Sequence, residues 1–568
     1  MTTEKPSPGA DDSKNVNNVL SSSVAGASYL ILLQLASRML TFALHQIVVR
    51  YSSAETLGIA SVKLELLLST ILFLSREGFR CALLRGGNSQ TTQEIKSDKP
   101  VSKDAVLVSS AEGQVQKITN LAYVPMIIGL VTTLTACVYY LSSIDDETAL
   151  KYPFYRTSIV LFGLSAYCEL IIEPLYIMAL SNLYFKLRVS VEGICVLVRC
   201  VLTFGLTVLG SNGSATNRYG VLAFAVAQFA YSLVMVFGYA GFFINKVRSG
   251  QINGKTILPR KLVAVNEDGS TRTFWFDREL LDLSVTLTKQ SLLKHVLTEG
   301  DKMLVSALSS DKDQGVYALV VNYGSLIVRI LFGPLEETAR TLFSKLLSDI
   351  GDQPLTKSQN RVLETSARIL VTIFKFHILL GLIFICFATN YTATLIDLLV
   401  GSAWSQNTNA PLVLSFYCAY VPVMGINGIS EAFVQAVATE QQLARLSKFM
   451  IVFSLIFVSS GVLFMHFMHL GAIGLILANI VNLGSRIIYS WIFIRKYFLD
   501  KRGQDVSLLS QMITIRNWFP SKVVLLAFAS GWAVTRLSEE IIGWTTFREK
   551  VMHIAVGGVA ALFALASM

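Results

Sequence analysis

Stretches of roughly twenty apolar residues recur along this chain, separated by polar segments. A helix of that length spans a hydrocarbon core of about 30 Å, so each stretch predicts a membrane-crossing helix. About fourteen qualify, beginning near Ala25, Leu57, Ile118, Pro153, Phe185, Arg218, Leu281, Gln314, Arg361, Pro411, Gln441, Gly471, Ser521 and Val551. Those from Leu281 and Gln314 are the less apolar ones. The expected fold class is an all-α polytopic membrane protein.

The polar segments divide the spans unequally. A polar N-terminus, residues 1–24, precedes six spans over 25–245. A Lys-, Arg-, Gly- and Asn-rich connection at 246–280 reads as a linker between bundles. Six more spans occupy 281–495, and residues 496–568 hold a polar loop and two last spans. A weak internal repeat supports two six-helix halves. Gly58 is followed by Glu77-Gly78-Phe79-Arg80, and Gly315 by Glu337-Thr338-Ala339-Arg340. Upstream of each lies one basic residue at similar depth, Arg38 in the first half and Lys294 in the second. Parallel repeats of this kind are a transporter plan with a substrate site near the midplane.

Composition agrees: of 568 residues, 53% are hydrophobic and 15% charged, with mean hydropathy +0.55, which excludes an ordinary soluble globule. The net charge of +10 suggests an anionic partner such as nucleic acid until its distribution is read. Numbering loops alternately from a cytosolic N-terminus puts about 26 Lys and Arg on one side and about 8 on the other, a positive-inside asymmetry that makes both termini and the 246–280 linker cytosolic. The sequons at Asn212 and Asn390 fall on the opposite, lumenal side, where they are candidate glycosylation sites. The seven cysteines stand singly, without disulfide-framework or zinc spacing. Residues 1–23 lack a signal-peptide pattern, so the first span is expected to serve as the targeting signal.

Charge inside the spans carries the functional information. Arg38, Lys63, Glu65, Glu169, Glu173, Lys289, Lys294, Glu299, Asp301, Lys302 and Arg329 lie within or at the edge of apolar stretches, where an ionised side chain faces a polar cavity or a partner. Local pairing accounts for some of them: Lys63 lies near Glu65, and Glu299 can reach Lys294 or Lys302 along one helix. Arg38, Arg76, Arg80 and Arg329 are harder to neutralise locally. With Lys294 they suggest a basic chamber for phosphate, whose oxygens match the arginine fork. Glu299 and Asp301 flank Gly300, where the span is expected to break. Other signals are weak. The segment from Gly250 to Thr256 resembles a phosphate-binding loop but is one residue short between its glycines. His466 and His469 have no third ligand for a metal.

Several blocks together resemble one family. They are Ala27–Leu30 through Arg38, Leu57–Val62 with Leu74–Arg80, Tyr167–Tyr176, Leu297–Lys302, Gly333–Glu337 with Arg340, and Asn427–Phe433. The chain is similar in these to the eukaryotic Rft oligosaccharide-translocation family, within the multidrug, oligosaccharidyl-lipid and polysaccharide exporter superfamily. The resemblance implies a fold like that of bacterial lipid II flippases and an endoplasmic-reticulum location. It implies a task in protein N-glycosylation: moving a dolichol-diphosphate-linked mannose/N-acetylglucosamine oligosaccharide to the lumenal leaflet, by alternating access through a central cavity. Partners would be that lipid, membrane lipids and other N-glycosylation proteins, with no nucleic acid, cofactor or metal and no enzymatic step. The matched blocks put Arg38, Arg76, Glu77, Arg80, Glu169, Glu173, Glu299, Asp301, Lys302, Glu336, Glu337 and Arg340 on the list of substrate-contacting residues. The charge reading adds Lys294 and Arg329. Two other classes stay open: a non-transporting scaffold of the same pathway, and a cation-coupled exporter using Glu65, Glu169, Glu173 or Asp301.

Overall fold

A computed structural model describes residues 42–86, 105–144, 146–182, 184–211, 219–265, 271–347, 357–500 and 518–567. The span expected from Ala25, with Arg38, and the sequon at Asn212 lie outside these. Among the described residues ten helices are long and apolar enough to cross a membrane, from Ala54–Leu84 to Phe547–Ala566. A bent pair, Tyr155–Ile171 and Glu173–Ser181, which meet at 42°, makes an eleventh when counted as one span. The spans expected from Leu281 and Ser521 are helices too, Arg278–Leu308 and Lys522–Ile542, but charges such as Lys289, Lys294 and Glu299, or Arg536, Glu539 and Glu540, interrupt their apolar runs.

Polar caps at the connections start many of these helices. Ser53, Ser110, Ser310 and Ser521 each accept a hydrogen bond from a backbone N–H of the first turn. Thr439 with Gln442, and Thr546 with Glu549, form capping boxes, satisfying donors that no helix can satisfy by itself. Outward faces are apolar instead. Ile127, Val131, Leu134 and Val138 make one stripe at helical spacing and are each 59–65% exposed, the arrangement of a lipid-facing surface.

The chain forms two compact units: residues 1–52 with 67–293, and 53–66 with 294–568. The Ala54–Leu84 helix thus contributes its first part to the second unit and the remainder to the first. In the first unit Val221–Arg248 packs on Tyr155–Ile171 and on Phe185–Ser211, around Tyr176, Cys195, Tyr239 and Phe243. The 246–280 connection is more than a linker. Lys261–Val265 pairs in parallel with Ala105–Leu107 and antiparallel with Thr271–Phe274, and Asn120 ties down both flanks by donating to the carbonyls of Arg260 and Trp275, each at 2.7 Å.

In the second unit Ala410–Val437 is central, packed by Gly471–Asp500, Gly333–Leu346, Lys357–Cys386 and Asp311–Ile327. Its Phe433 sits among Phe343, Phe374, Phe498 and Trp518. The helix runs unbroken through Pro422. Here too the two repeat glycines meet. A Cβ on Gly58 would collide with the Asp311 carbonyl, and one on Gly315 with the Ala54 carbonyl, so the helices touch backbone to backbone. The last two helices pack on each other and set Val524, Phe528 and Ala564 against Cys386 and Phe387.

Candidate functional site

In the first unit two arginines one helical turn apart face two carboxylates one turn apart. Arg76 and Arg80 lie on the Ala54–Leu84 helix, where Phe73–Glu77 forms a wider turn of the i→i+5 type. Such turns insert a residue and re-aim side chains, frequently at functional sites. Glu169 and Glu173 flank the bend at Ile172, with Pro174 in the first turn beyond it. Arg80 donates Nε to Glu173 Oε1 at 2.7 Å and Nη2 to Oε2 at 2.6 Å. Arg76 Nη1 reaches Glu169 Oε2 at 3.3 Å and Glu173 Oε2 at 3.9 Å. The Arg80 guanidinium also lies 4.0 Å from the centre of the Tyr176 ring, and Gln228 Nε2 donates to Glu169 Oε1 at 3.5 Å.

Arg76 and Arg80, expected to be hard to neutralise, are therefore neutralised, by carboxylates 93 residues away in sequence. Glu77, between the two arginines in sequence, has its Oε1 4.0 Å from Cys81 Sγ.

In the second unit Lys63 pairs with Asp311 at 2.7 Å rather than with its sequence neighbour Glu65. Glu299 pairs with Lys302 at 2.9 Å, whereas Asp301 accepts from the Tyr317 hydroxyl at 3.0 Å and from the Lys302 backbone N–H at 2.8 Å. Arg278–Leu308 is continuous through Gly300, so the expected break is absent. A glycine costs a helix only about 1 kcal/mol, which surrounding packing readily offsets. Lys294 lies in that helix, with its side chain outside the description. Arg329 falls in another wide turn, Val328–Phe332. It, Glu337 and Arg340 are exposed, and no ion pair holds them among the described residues. The Glu336 carboxylate lies against Gly428, where a Cβ would displace it.

Two observations depart further from sequence reasoning, and one agrees with it. Asn390 is 4% exposed and its amide donates to Thr535 Oγ1 at 2.8 Å and to the Trp532 carbonyl at 3.2 Å. It is a packing residue between helices, and a glycan there would have no outlet. The Gly250–Thr256 segment follows a helix, with only one short turn at Gly254–Ile257, so it lacks the strand a phosphate loop needs. Two intramembrane arginines were missed. Arg486 makes a fork with Glu431, Nε to Oε1 at 2.6 Å and Nη2 to Oε2 at 2.7 Å, and Arg199 donates Nη1 to Gln228 Oε1 at 3.0 Å. Both sit in apolar runs, Val198-Arg199-Cys200-Val201 and Ser485-Arg486-Ile487-Ile488, so the same criterion that found the others applies to them. Beside Arg486 and Glu431 on the same two helices, the side-chain oxygens of Asn482 and Asn427 are buried without a hydrogen-bond partner among the described residues.

The sequence profile of the Rft protein family matches residues 22–568. The Man(5)GlcNAc(2)-PP-dolichol translocation protein RFT1 of Yarrowia lipolytica is 33% identical over 508 residues, 86% of this chain and 72% of that one. Its namesake in Dictyostelium discoideum is 30% identical over 560 residues, 95% of this chain and 93% of the other. The one from Saccharomyces cerevisiae is 31% identical over 493 residues, 84% of this chain and 83% of its own length. Among solved structures, the lipid II flippase MurJ in its inward closed conformation superposes with a TM-score of 0.55 at 13% identity, covering 95% of this chain and 98% of the other. That likeness speaks to the fold.

Proposed function

The chain belongs to the Rft protein family, and from that premise we propose that it moves a dolichol-diphosphate-linked oligosaccharide of mannose and N-acetylglucosamine from the cytosolic to the lumenal leaflet of the endoplasmic-reticulum membrane for N-glycosylation. Its relatives are named Man(5)GlcNAc(2)-PP-dolichol translocation proteins. The observation that carries the reading here is the ladder of Arg76 and Arg80 against Glu169 and Glu173 at a bend in a membrane span. A carboxylate and a phosphate offer an arginine fork the same two-oxygen geometry. Paired carboxylates therefore balance the charge of the arginines in an apolar setting, and a diphosphate can take their place. The released carboxylates and Tyr176 then accept or stack against sugar hydroxyls and rings.

In this reading the headgroup is carried by alternating access while the polyprenyl tail stays in lipid. No bond is made or broken, and net movement is drawn by consumption of the oligosaccharide in the lumen. Both termini are cytosolic, as the loop charges favour.

Reconstitution tests the proposal. Purified protein in sealed vesicles with a radiolabelled dolichol-diphosphate oligosaccharide should speed its transfer between leaflets, and Arg80→Ala with Arg76→Ala should abolish the acceleration. Transfer at the rate of protein-free vesicles would overturn translocation in favour of a scaffold role. A rate unchanged by the double substitution would remove the ladder from the site.

A further inference from the structure

The ladder extends two residues further than the family blocks reach, to Gln228 and Arg199. Arg199 is 14 residues from the start and 12 from the end of Phe185–Ser211, so it sits about 20 Å from either end, near mid-membrane. It does not face lipid. Val191, Cys195, Thr203 and Thr207, each four residues apart on the same side, are all buried, and Arg199 occupies the middle of that stripe. A guanidinium at this depth ordinarily meets a carboxylate. Arg199 meets a carboxamide instead, Gln228 Oε1 at 3.0 Å, and the face of Tyr231, 5.4 Å from its guanidinium carbon. One of its five N–H donors is engaged by a hydrogen bond among the described residues, and the residue is half-buried, so the fork is reachable.

Gln228 is itself 3% exposed and joins Arg199 to the ladder by donating Nε2 to Glu169 Oε1. The connected network thus holds three cations, Arg76, Arg80 and Arg199, and two carboxylates, Glu169 and Glu173. Among the described residues no carboxylate lies within ion-pair distance of Arg199. A purely structural arginine would be satisfied by its surroundings, because unpaired buried charge costs several kcal/mol. The amide tether fixes its orientation without neutralising it.

We propose that Arg199, positioned by Gln228 and Tyr231, is an anion subsite for a phosphate ester, contacting the diphosphate of the translocated lipid at mid-membrane. This rests on the translocation reading and extends it to a residue outside the family blocks. The planar fork takes two phosphate oxygens at once, and a guanidinium with no carboxylate partner among the described residues suits an anionic ligand.

Equilibrium binding to the purified full chain in nanodiscs tests the subsite, with dolichyl diphosphate bearing the mannose/N-acetylglucosamine core as the probe, phosphatidic acid and inorganic phosphate as separate arms, and thermal unfolding as the check on folding. Arg199→Gln should weaken the dolichyl diphosphate probe about tenfold or more, and Arg199→Lys should weaken it less, because charge remains while the fork is lost. Wild-type affinity in both variants, with the wild type binding well, would overturn the subsite and leave translocation standing. No binding by the wild type would instead count against the translocation reading itself. Equal Arg199 dependence for phosphatidic acid or inorganic phosphate would assign the site to any phosphate and overturn its dedication to the diphosphate lipid. Where Arg199→Gln unfolds, Arg199→Lys decides alone, and wild-type affinity in it sinks the fork.

Discussion

Arg80 meets Glu173 edge to edge, with both hydrogen bonds at 2.7 Å or less, in a pair whose carboxylate side chain is 1% exposed. Removing one partner of such a pair leaves an uncompensated charge and costs about 3 kcal/mol or more, whereas replacing both by apolar residues is often near neutral. Glu173→Gln should therefore lower the thermal midpoint in detergent markedly. Arg80→Met with Glu173→Leu should recover most of it, yet fail to support glycosylation of a secreted reporter in cells lacking the native protein. Full glycosylation by the double variant would show the pair to be structural.

Gly58 and Gly315 make a second testable contact. Each would place a Cβ on the other helix's backbone, which no rotamer change relieves, so overpacking should cost about 1–3 kcal/mol. Gly58→Ala and Gly315→Ala should each reduce the thermal midpoint. The two together should fall short of the sum, since helices already forced apart by one methyl readily accept another. Additive losses would place the two residues in separate contacts.

The neighbours Glu299 and Asp301 have unlike partners. Glu299→Gln breaks an ion pair within one helix, which is worth about 0.5 kcal/mol in exposed settings and more where desolvated. Asp301→Asn weakens a tie to the next helix through Tyr317, so Tyr317→Phe should reproduce its loss of about 1 kcal/mol in unfolding experiments. If Tyr317→Phe is silent while Asp301→Asn is severe, the hydroxyl contact is not what holds Asp301.

Membrane sidedness follows from the small sheet. Ala105–Leu107 pairs with Lys261–Val265, so the two polar segments that hold these strands must share one face of the membrane. Loop charge predicts that this face is cytosolic. Single cysteines at the exposed positions Thr271 and Arg272, in a background without the native cysteines, should be labelled by a membrane-impermeant maleimide from the cytosolic side of sealed microsomes. Labelling only after permeabilisation would reverse the orientation.

Hydropathy by itself located most of the spans among the described residues, because a bilayer demands about 20 apolar residues in a row wherever the chain crosses; the helices from Ala410 and Gly471 begin within one residue of where the sequence predicts. It also supplied the short roster of charges worth examining, since an ionised group at membrane depth needs a reason to be there. The pairing was beyond its reach. Lys63 passes over Glu65 for Asp311, and Arg80 reaches across 93 residues to Glu173, because an ion pair depends on which helix faces bury together. Gly300 illustrates the converse: local composition predicts a break, and the helix closes over it. Arg199 shows most clearly where the division falls. Any reader of the sequence can see a charge among Val198, Cys200 and Val201, but only the packing of its helix against the one bearing Gln228 reveals an arginine with an amide where a carboxylate was expected, since a side chain's charge is a property of its residue type and its neutralisation a property of the fold.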